Sequence, residues 1–310
     1  MATLASVLWI VIGVLAAGVL CVAYGIFVEH HWYRVRRYRL DILPADAAPL
    51  SVLHVSDLHF VRRDRKLRSF LASLPPCDVA VATGDLIGEP EAVEDVVAAL
   101  DEVRGRLASY FVLGSNDYYR PRPVNPLRYF QRHRPGKRRL VRRSRAGELV
   151  QQLEANGWVH LKNVHGEQAL GSLEVEVTGM DDPHIHLADL RVATRRRRDL
   201  FGLAVVHSPD PSPELAALGW DLILAGHTHG GQVRMPLIGT LVTNSYMPRG
   251  LASGVARMGG ATLHTSPGLG TSKFAPFRFL CPPEAAILEL RPAAATPVSH
   301  VSQGARTATR

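Results

Sequence analysis

Leu222-Ile223-Leu224-Ala225-Gly226-His227-Thr228-His229-Gly230-Gly231-Gln232 is an apolar run that breaks into two histidines hemmed by glycines. If the backbone stays extended past the run, residues two apart point to the same side, so His227 and His229 aim both imidazoles at one spot. Gly226, Gly230 and Gly231 let the chain turn tightly around that spot, which is how a metal site is built. A bare His-x-His is met more often on a solvated surface loop. What sets this one apart is repetition, because four other stretches also end an apolar run on a potential ligand.

Upstream, Ser51-Val52-Leu53-His54-Val55-Ser56 reads as a buried strand that delivers Asp57-Leu58-His59, a carboxylate and an imidazole again two apart, with His54 inside the strand as a packed core residue. Asp78-Val79-Ala80-Val81-Ala82-Thr83 runs into Gly84-Asp85, and Tyr110-Phe111-Val112-Leu113 into Gly114-Ser115-Asn116-Asp117. Leu203-Ala204-Val205-Val206 terminates in His207-Ser208-Pro209. Helical patterns over 65–74 and 90–107 separate the first three strands, the second with Val93, Val96, Val97, Leu100 and Val103 at helical spacing. This βαβα rhythm predicts an α/β fold with a largely parallel sheet, in which ligands gather at the carboxyl ends of strands. Every candidate ligand sits at such an end. A helix over 148–156, half-exposed strands over 158–161 and 172–178, a short helix near 212–218 and closing strands over 261–266 and 284–290 complete the expected elements.

Asp57 with His59, Asp85, Asn116, His207, and His227 with His229 bring three or four oxygens and four imidazoles. One zinc takes about four ligands, so the surplus points to two metals sharing a carboxylate. Oxygen and nitrogen ligation without thiolate suits two divalent ions of manganese, iron or zinc better than copper(I) or calcium. Cys21, Cys77 and Cys281 show no paired or metal-type spacing, so no disulfide framework is read.

With 310 residues, 46% of them hydrophobic, the chain has material for one large α/β domain plus appendages. Its formal charge of +8 favours an anionic contact: a membrane surface, a phosphorylated substrate or nucleic acid. From Leu4 to Val28 every residue is apolar or small except Ser6, long enough to cross the ~30 Å hydrocarbon layer as a helix. The flanks do not match a cleaved signal peptide, since nothing basic but the α-amine precedes the run. Arg34, Arg36, Arg37 and Arg39 follow it, which by the positive-inside rule puts the domain on the cytoplasmic side of the cell membrane. The expected division is a transmembrane anchor over 1–29, a basic juxtamembrane segment and linker over 30–49, the catalytic domain over 50–291 and a disordered tail over 292–310. Within the domain, residues 120–145 form a Pro- and Arg-rich insertion without an acidic residue, expected as a solvated loop or as a surface for anionic lipid or substrate. No stacking-aromatic pattern accompanies its charge, which makes nucleic acid the weakest of the partners. Arg195 to Arg198 is expected to cap a helix or face solvent.

The ordered series D-x-H, G-D, G-S-N-D, H and G-H-T-H-G-G over residues 50–290 resembles the calcineurin-like metallophosphoesterases. The run from GHTHGGQVRMP through SPGLG to RFLCPPEAAILEL further resembles their membrane-anchored bacterial branch, some of whose members act on UDP-2,3-diacylglucosamine. The resemblance implies a four-layer α/β/β/α sandwich. It assigns Asp57, His59, Asp85 and His229 to one metal and Asp85, Asn116, His207 and His227 to the other, and it implies in-line, metal-assisted attack of water on a phosphoester.

One departure matters. The family usually reads G-N-H-[DE], with Asn as ligand and His assisting the leaving group, whereas this chain has Gly114-Ser115-Asn116-Asp117. An amide carbonyl is a better hard-cation ligand than a neutral hydroxyl, so Asn116 is expected as the ligand and the histidine as absent. Asp117, His184 or His186 are the candidates to replace it, and a substrate with a good leaving group is expected. The leading expectation is a membrane-anchored phosphodiesterase or pyrophosphatase acting on a lipid- or nucleotide-linked substrate. The alternatives are a phosphomonoesterase or protein phosphatase for soluble substrates, and a regulator that binds metal or phosphate without turnover. A Ser/His/Asp hydrolase is disfavoured by the lack of a G-x-S-x-G elbow.

Overall fold

Runs such as Val79–Thr83 and Leu222–Ala225 carry buried side chains at every position, so they are stable only where both faces of the sheet are covered. The computed structural model, which describes residues 2–121 and 142–293, meets that need with two sheets laid face to face and helices outside them. The first sheet has the spatial order β1 (Arg34–Leu43), β14 (Glu284–Pro292), β2 (Leu50–Val55), β3 (Val79–Thr83), β4 (Ala108–Val112), β5 (Val159–His160). The second runs β12 (Gly254–Met258), β13 (Ala261–Thr265), β9 (Leu222–Ala225), β8 (Phe201–Val205), β7 (Leu173–Gly179), β6 (Val164–Leu170). Strands β2 to β5 are mutually parallel, as are β7, β8, β9 and β13. A small hairpin of β10 (Arg234–Met235) and β11 (Gly239–Thr240) stands apart from both sheets.

Three apolar clusters define the layers. Between the sheets, Val52, Val81 and Val112 of the first meet Val175, Leu203 and Leu224 of the second. On the outer face of the first sheet, Leu53, Ala80 and Phe111 are covered by Leu67 and Leu71 of α2 (Arg65–Ala72), Val96 and Leu100 of α3 (Val93–Asp101), and Leu149 and Leu153 of α5 (Ala146–Ala155). On the outer face of the second, Ala204, Ile223 and Leu263 pack with Leu215 of α6 (Ser212–Leu218) and with Trp220. Alternate residues of one strand thus enter different cores, each buried Val or Leu contributing ~1.5–3 kcal/mol. The result is the four-layer α/β/β/α sandwich. A one-turn α4 (Ser115–Tyr118) follows β4. Helix α1 (Ala2–Phe27) leaves the sandwich with its apolar side chains exposed and is, among the described residues, the one helix long and apolar enough to cross a membrane.

Several expectations are corrected here. Residues 34–43 are not a linker: β1 pairs in parallel with β14 from Arg34↔Glu284 to Leu40↔Leu290, and Tyr38, Leu40 and Ile42, at alternate positions, join the inter-sheet core. Its arginines lie outside and meet β14, with Arg36 3.3 Å from Glu284 and Arg37 and Arg39 3.5 and 3.3 Å from Glu289. Glu29 is not part of the anchor, because its carboxylate is 2% exposed and accepts the backbone N–H groups of Leu280 and Cys281. Residues 164–170, unassigned from sequence, form the outermost strand of the second sheet, paired antiparallel with β7. The run Arg195–Arg198 divides between the two expected roles: Arg196 and Arg198 are exposed, while the buried Arg195 guanidinium donates to Gly219 O at the C-terminal end of α6 at 2.9 Å and also lies 2.5 Å from Glu176 and 3.1 Å from Asp221, ion pairs that the sequence did not announce. The strand at the C-terminus runs on to Pro292, one residue past the expected boundary, while the rest of the expected disordered tail, from 294, lies outside the described residues. Most of the basic insertion, 122–141, also lies outside them, although its ends are pinned where Arg120 N–H donates to Arg142 O at 3.0 Å and Ser144 N–H to Tyr118 O at 2.9 Å.

Candidate metal centre

Because β2, β3 and β4 run parallel in one sheet and β8 and β9 in the other, the loops after all five emerge together. The chain does not stay extended there. Asp57, His59, Asp85, His227 and His229 have φ values of 48, 42, 51, 68 and 50°, in the left-handed region that non-glycine residues seldom enter. Such strain costs of order 1–3 kcal/mol per residue and persists only where surrounding bonds over-determine it. Here Asp57 N–H donates to Gly84 O, His59 N–H to Asp85 O and Gly226 N–H to His207 O, all at 2.8–2.9 Å. The turn, rather than strand alternation, brings the two-apart pairs into the cavity, and His227 and His229 reach two neighbouring points instead of one.

At the first point, the Nε2 atoms of His59 and His229 are 3.1 Å apart, with Asp57 Oδ1 3.5 Å from His229 Nε2 and Asp85 Oδ2 3.6 Å from His59 Nε2. At the second, His207 Nε2 lies 3.2 Å from His227 Nδ1 and 3.8 Å from Asp85 Oδ1, and Asn116 packs its amide against Asp85 Oδ2. Asp85 thus touches both groups. Asp57, His59 and His229, and likewise Asp57, Asp85 and His207, offer ligand atoms all within 4.8 Å of one another. Of the G-S-N-D residues it is Asn116 whose side chain meets Asp85, and its backbone N–H also donates to Asp85 Oδ1 at 2.8 Å.

Neighbouring groups fix how these side chains point. His207 Nδ1–H donates to Thr83 O at 2.6 Å and His227 Nε2–H to Asn244 O at 3.1 Å, which leaves His207 Nε2 and His227 Nδ1 as the ring atoms turned into the cavity, the positions that offer a lone pair when the rings are neutral. Ser56 Oγ–H donates to Asp57 Oδ2 at 2.6 Å. Asp57 Oδ1 is buried without a hydrogen-bond partner, beside converging imidazole lone pairs, and such a donor set is satisfied by a cation. Glycines make the closeness possible: a Cβ on Gly84, at φ +82°, would sit 2.6 Å from both Gly114 N and His207 Nδ1, and one on Gly226 would sit 2.6 Å from Asp57 Oδ2.

Asp117 does not face the cavity as a candidate acid should. Its two oxygens accept Ile87 N–H at 3.0 Å and Gly114 N–H at 2.9 Å, so it ties the loops after β3 and β4 together. Sequence reasoning missed Arg278, whose fully buried guanidinium donates to the carbonyls of Pro267, Gly268, Gly270 and Cys281 and so braces the loop behind Asp57. A lone arginine in a loop carries no local signal of that role. Asp182 is buried beside the site, and His184 packs its ring 4.6 Å from that of His227.

A family model described as calcineurin-like phosphoesterase matches residues 50–231, more than half of the chain. The chain is a calcineurin-like phosphoesterase. It is therefore a metal-dependent hydrolase of phosphoric esters. The phosphoesterase is 24% identical to the metallophosphoesterase YkuE of Bacillus subtilis over 90% of this chain and 94% of that one. It is 28% identical to the phosphodiesterase YaeI of Escherichia coli (85% and 90%) and 27% identical to the UDP-2,3-diacylglucosamine pyrophosphatase LpxG of Chlamydia trachomatis (89% and 94%).

Electrostatics in the metal-free phosphoesterase show the demand for positive charge. Burial pushes Asp57 up to about 7, with the Asp85 carboxylate adding to the shift and His207 opposing it. Burial alone would lower His207, but the carboxylates of Asp85, Asp182 and Asp57 outweigh it and raise the imidazole to about 9. Burial likewise works against ionisation of Asp85, yet His207 and His59 hold it well below the usual carboxylate range. Asp57 and His207 therefore keep protons in the folded chain where the unfolded chain has lost them, so their contribution to metal-free stability declines as pH rises towards 9. A divalent cation must displace those protons, and its affinity is expected to rise by at least ~10-fold between pH 6 and 8, adding ~1.4 kcal/mol or more of stabilisation at fixed subsaturating metal. Thermal unfolding with added manganese checks this. Equal midpoint shifts at the two pH values would remove Asp57 and His207 from the ligand set.

Proposed function

We propose that this phosphoesterase is tethered to the membrane by α1 and hydrolyses phosphodiester or pyrophosphate bonds of a lipid- or nucleotide-linked substrate, using two divalent cations of manganese, iron or zinc. The observation that carries the reading is Asp85, whose Oδ2 faces His59 and whose Oδ1 faces His207, with Asn116 bonded to both oxygens through its side-chain amide and its backbone N–H. Asp57, His59, Asp85 and His229 would hold one cation and Asp85, Asn116, His207 and His227 the other. When bound, paired cations lower the pKa of water and neutralise charge that builds on the phosphoryl oxygens. The four imidazoles are neutral donors, so only Asp57 and Asp85 offset the cations: 2 × (+2) − 2 leaves a charge of about +2 that selects an anionic phosphoryl group.

Asn116 and Asp117 leave no imidazole where the family places its leaving-group acid, a loss of typically ~10²- to 10⁴-fold for poor leaving groups. The names of YaeI and LpxG, a phosphodiesterase and a pyrophosphatase, support substrates whose leaving groups need little protonation. With manganese, the full-length protein in detergent is expected to turn over bis-p-nitrophenyl phosphate, and to cleave glycerol phosphate at least ~10²-fold more slowly. Rapid turnover of simple alkyl monoesters would sink this reading. Arg34, Arg36, Arg37 and Arg39 favour a cytoplasmic domain, and the basic insertion favours contact with anionic lipid.

A further inference from the structure

Where α1 ends, it is fastened to the segment 277–281. Tyr24 packs edge-on against Phe279 with ring centroids 6.3 Å apart, Gly25 O accepts Arg278 N–H at 3.3 Å, and Glu29 accepts Leu280 N–H at 2.9 Å. The other side of the same segment is bonded to the residues that follow His229: Phe279 N–H donates to Gln232 O at 3.0 Å, Arg234 N–H to Phe279 O at 2.9 Å, and the Gln232 amide to Phe277 O at 2.7 Å. From there the β10–β11 hairpin projects, and its tip is Met235-Pro236-Leu237-Ile238, four apolar residues without a charge. Leu237 is fully exposed and Ile238 is 69% exposed, while Leu280 and Phe274 next to the hairpin base are 45% and 48% exposed. Exposed apolar side chains gathered in one place mark a contact surface.

We infer that the hairpin tip, with Leu237 and Ile238 foremost, is a second membrane contact that enters the lipid interface beside α1 and holds the mouth of the metal centre against the bilayer. The inference rests on the reading of α1 as a membrane anchor. Reach decides in favour of lipid as the occupant. Val233 is bridged to Phe279, and four residues of extended chain span at most ~14 Å, so Leu237 lies within that distance of the segment fastened to the end of α1. The polar interfacial zone is ~5–8 Å deep on each side of the hydrocarbon, which makes the tip's reach commensurate with it. An uncharged Met-Pro-Leu-Ile tip suits that zone, and the hairpin begins only five residues after His229, so docking it would bring the cavity to headgroup level.

The test uses the full chain with Cys21→Ser, carrying one added cysteine at a time: Val14→Cys within α1, Leu237→Cys at the tip, and Leu107→Cys at the far end of β4, where Leu107 is also exposed. Each is labelled with an environment-sensitive fluorophore and placed in phosphatidylcholine–phosphatidylglycerol nanodiscs with or without doxyl-labelled lipid, and Cys21→Ser alone measures labelling of the buried Cys77 and Cys281. The expected result is loss of most emission to doxyl lipid at 14 and 237 and none at 107, with iodide quenching 107 alone. Quenching by lipid at 14 but not at 237 overturns the hairpin contact while leaving the anchor standing. No quenching by lipid at 14 overturns both. Protection of 237 from iodide without quenching by lipid would show a protein partner or second copy on the tip, and also overturns it.

Discussion

Replacing Asp85 with asparagine is expected to lower kcat/KM towards bis-p-nitrophenyl phosphate by at least ~10³-fold, ~4 kcal/mol of transition-state stabilisation, while leaving the fold intact. Asparagine keeps the size of the side chain and an oxygen to accept the Asn116 N–H, but it removes the one negative charge that both halves of the site share. It also turns an amide towards the lone pairs of His59 or His207. His207 then loses the largest of the carboxylate influences that raise it, so the metal-free variant holds its proton less tightly. Elemental analysis should show fewer bound metal ions per chain than in the parent protein, with unchanged circular dichroism. Full metal content together with activity within tenfold of the parent would remove Asp85 from the centre of the mechanism.

The second large effect concerns where a soluble fragment can begin. A chain starting at residue 45 lacks β1, and with it Leu40 and Leu43 from the core and every hydrogen bond that β1 makes to β14. Loss of two buried leucines alone costs ~4–10 kcal/mol, comparable with the whole stability of a typical domain of 5–15 kcal/mol. Such a fragment is expected to be insoluble or to unfold without a cooperative transition. A chain starting at Val28 keeps Glu29 under the backbone of Leu280 and Cys281 and keeps β1, and it should unfold cooperatively with a Tm near that of the full-length protein. Differential scanning calorimetry of the two fragments decides it. Similar Tm values for both would show that β1 contributes little to the domain.

These two cases mark how much the sequence reveals. The ends of β2, β3, β8 and β9 that carry the candidate ligands were legible because each strand is largely apolar and breaks off at a serine, glycine or histidine beside them, and the family model bears out the resemblance over 50–231. The choice of Asn116 over Ser115 as a candidate ligand rests on ligand chemistry; in the structure the Asn116 side-chain amide N–H donates to Asp85 Oδ2, which puts it beside the candidate site. Other features were hidden for physical reasons. The apolar alternation of Tyr38, Leu40 and Ile42 was masked by the arginines interleaved with it, which read as juxtamembrane charge. Glu29 and Arg278 are 249 positions apart and are buried by backbone partners rather than by any local pattern, so neither announces itself. The left-handed turns at Asp57, Asp85 and His229 invert the simple expectation of strand alternation, because non-glycine residues there give no turn signature.

The arginines of β1 have a further consequence. β1 is the outermost strand of its sheet, and an open strand border is a template on which a second molecule can add its own backbone. Arg34, Arg36, Arg37 and Arg39 are exposed along that border, and although Glu284 and Glu289 offset part of their charge, long hydrated side chains of this kind hinder the addition of another strand. If α1 is the proposed membrane anchor, the same cluster would both bias the direction of insertion and discourage neighbouring domains from zipping together. On that reading charge reversal at these positions would alter insertion direction and self-association at once, and a pair of measurements, one for each, would tell the two apart.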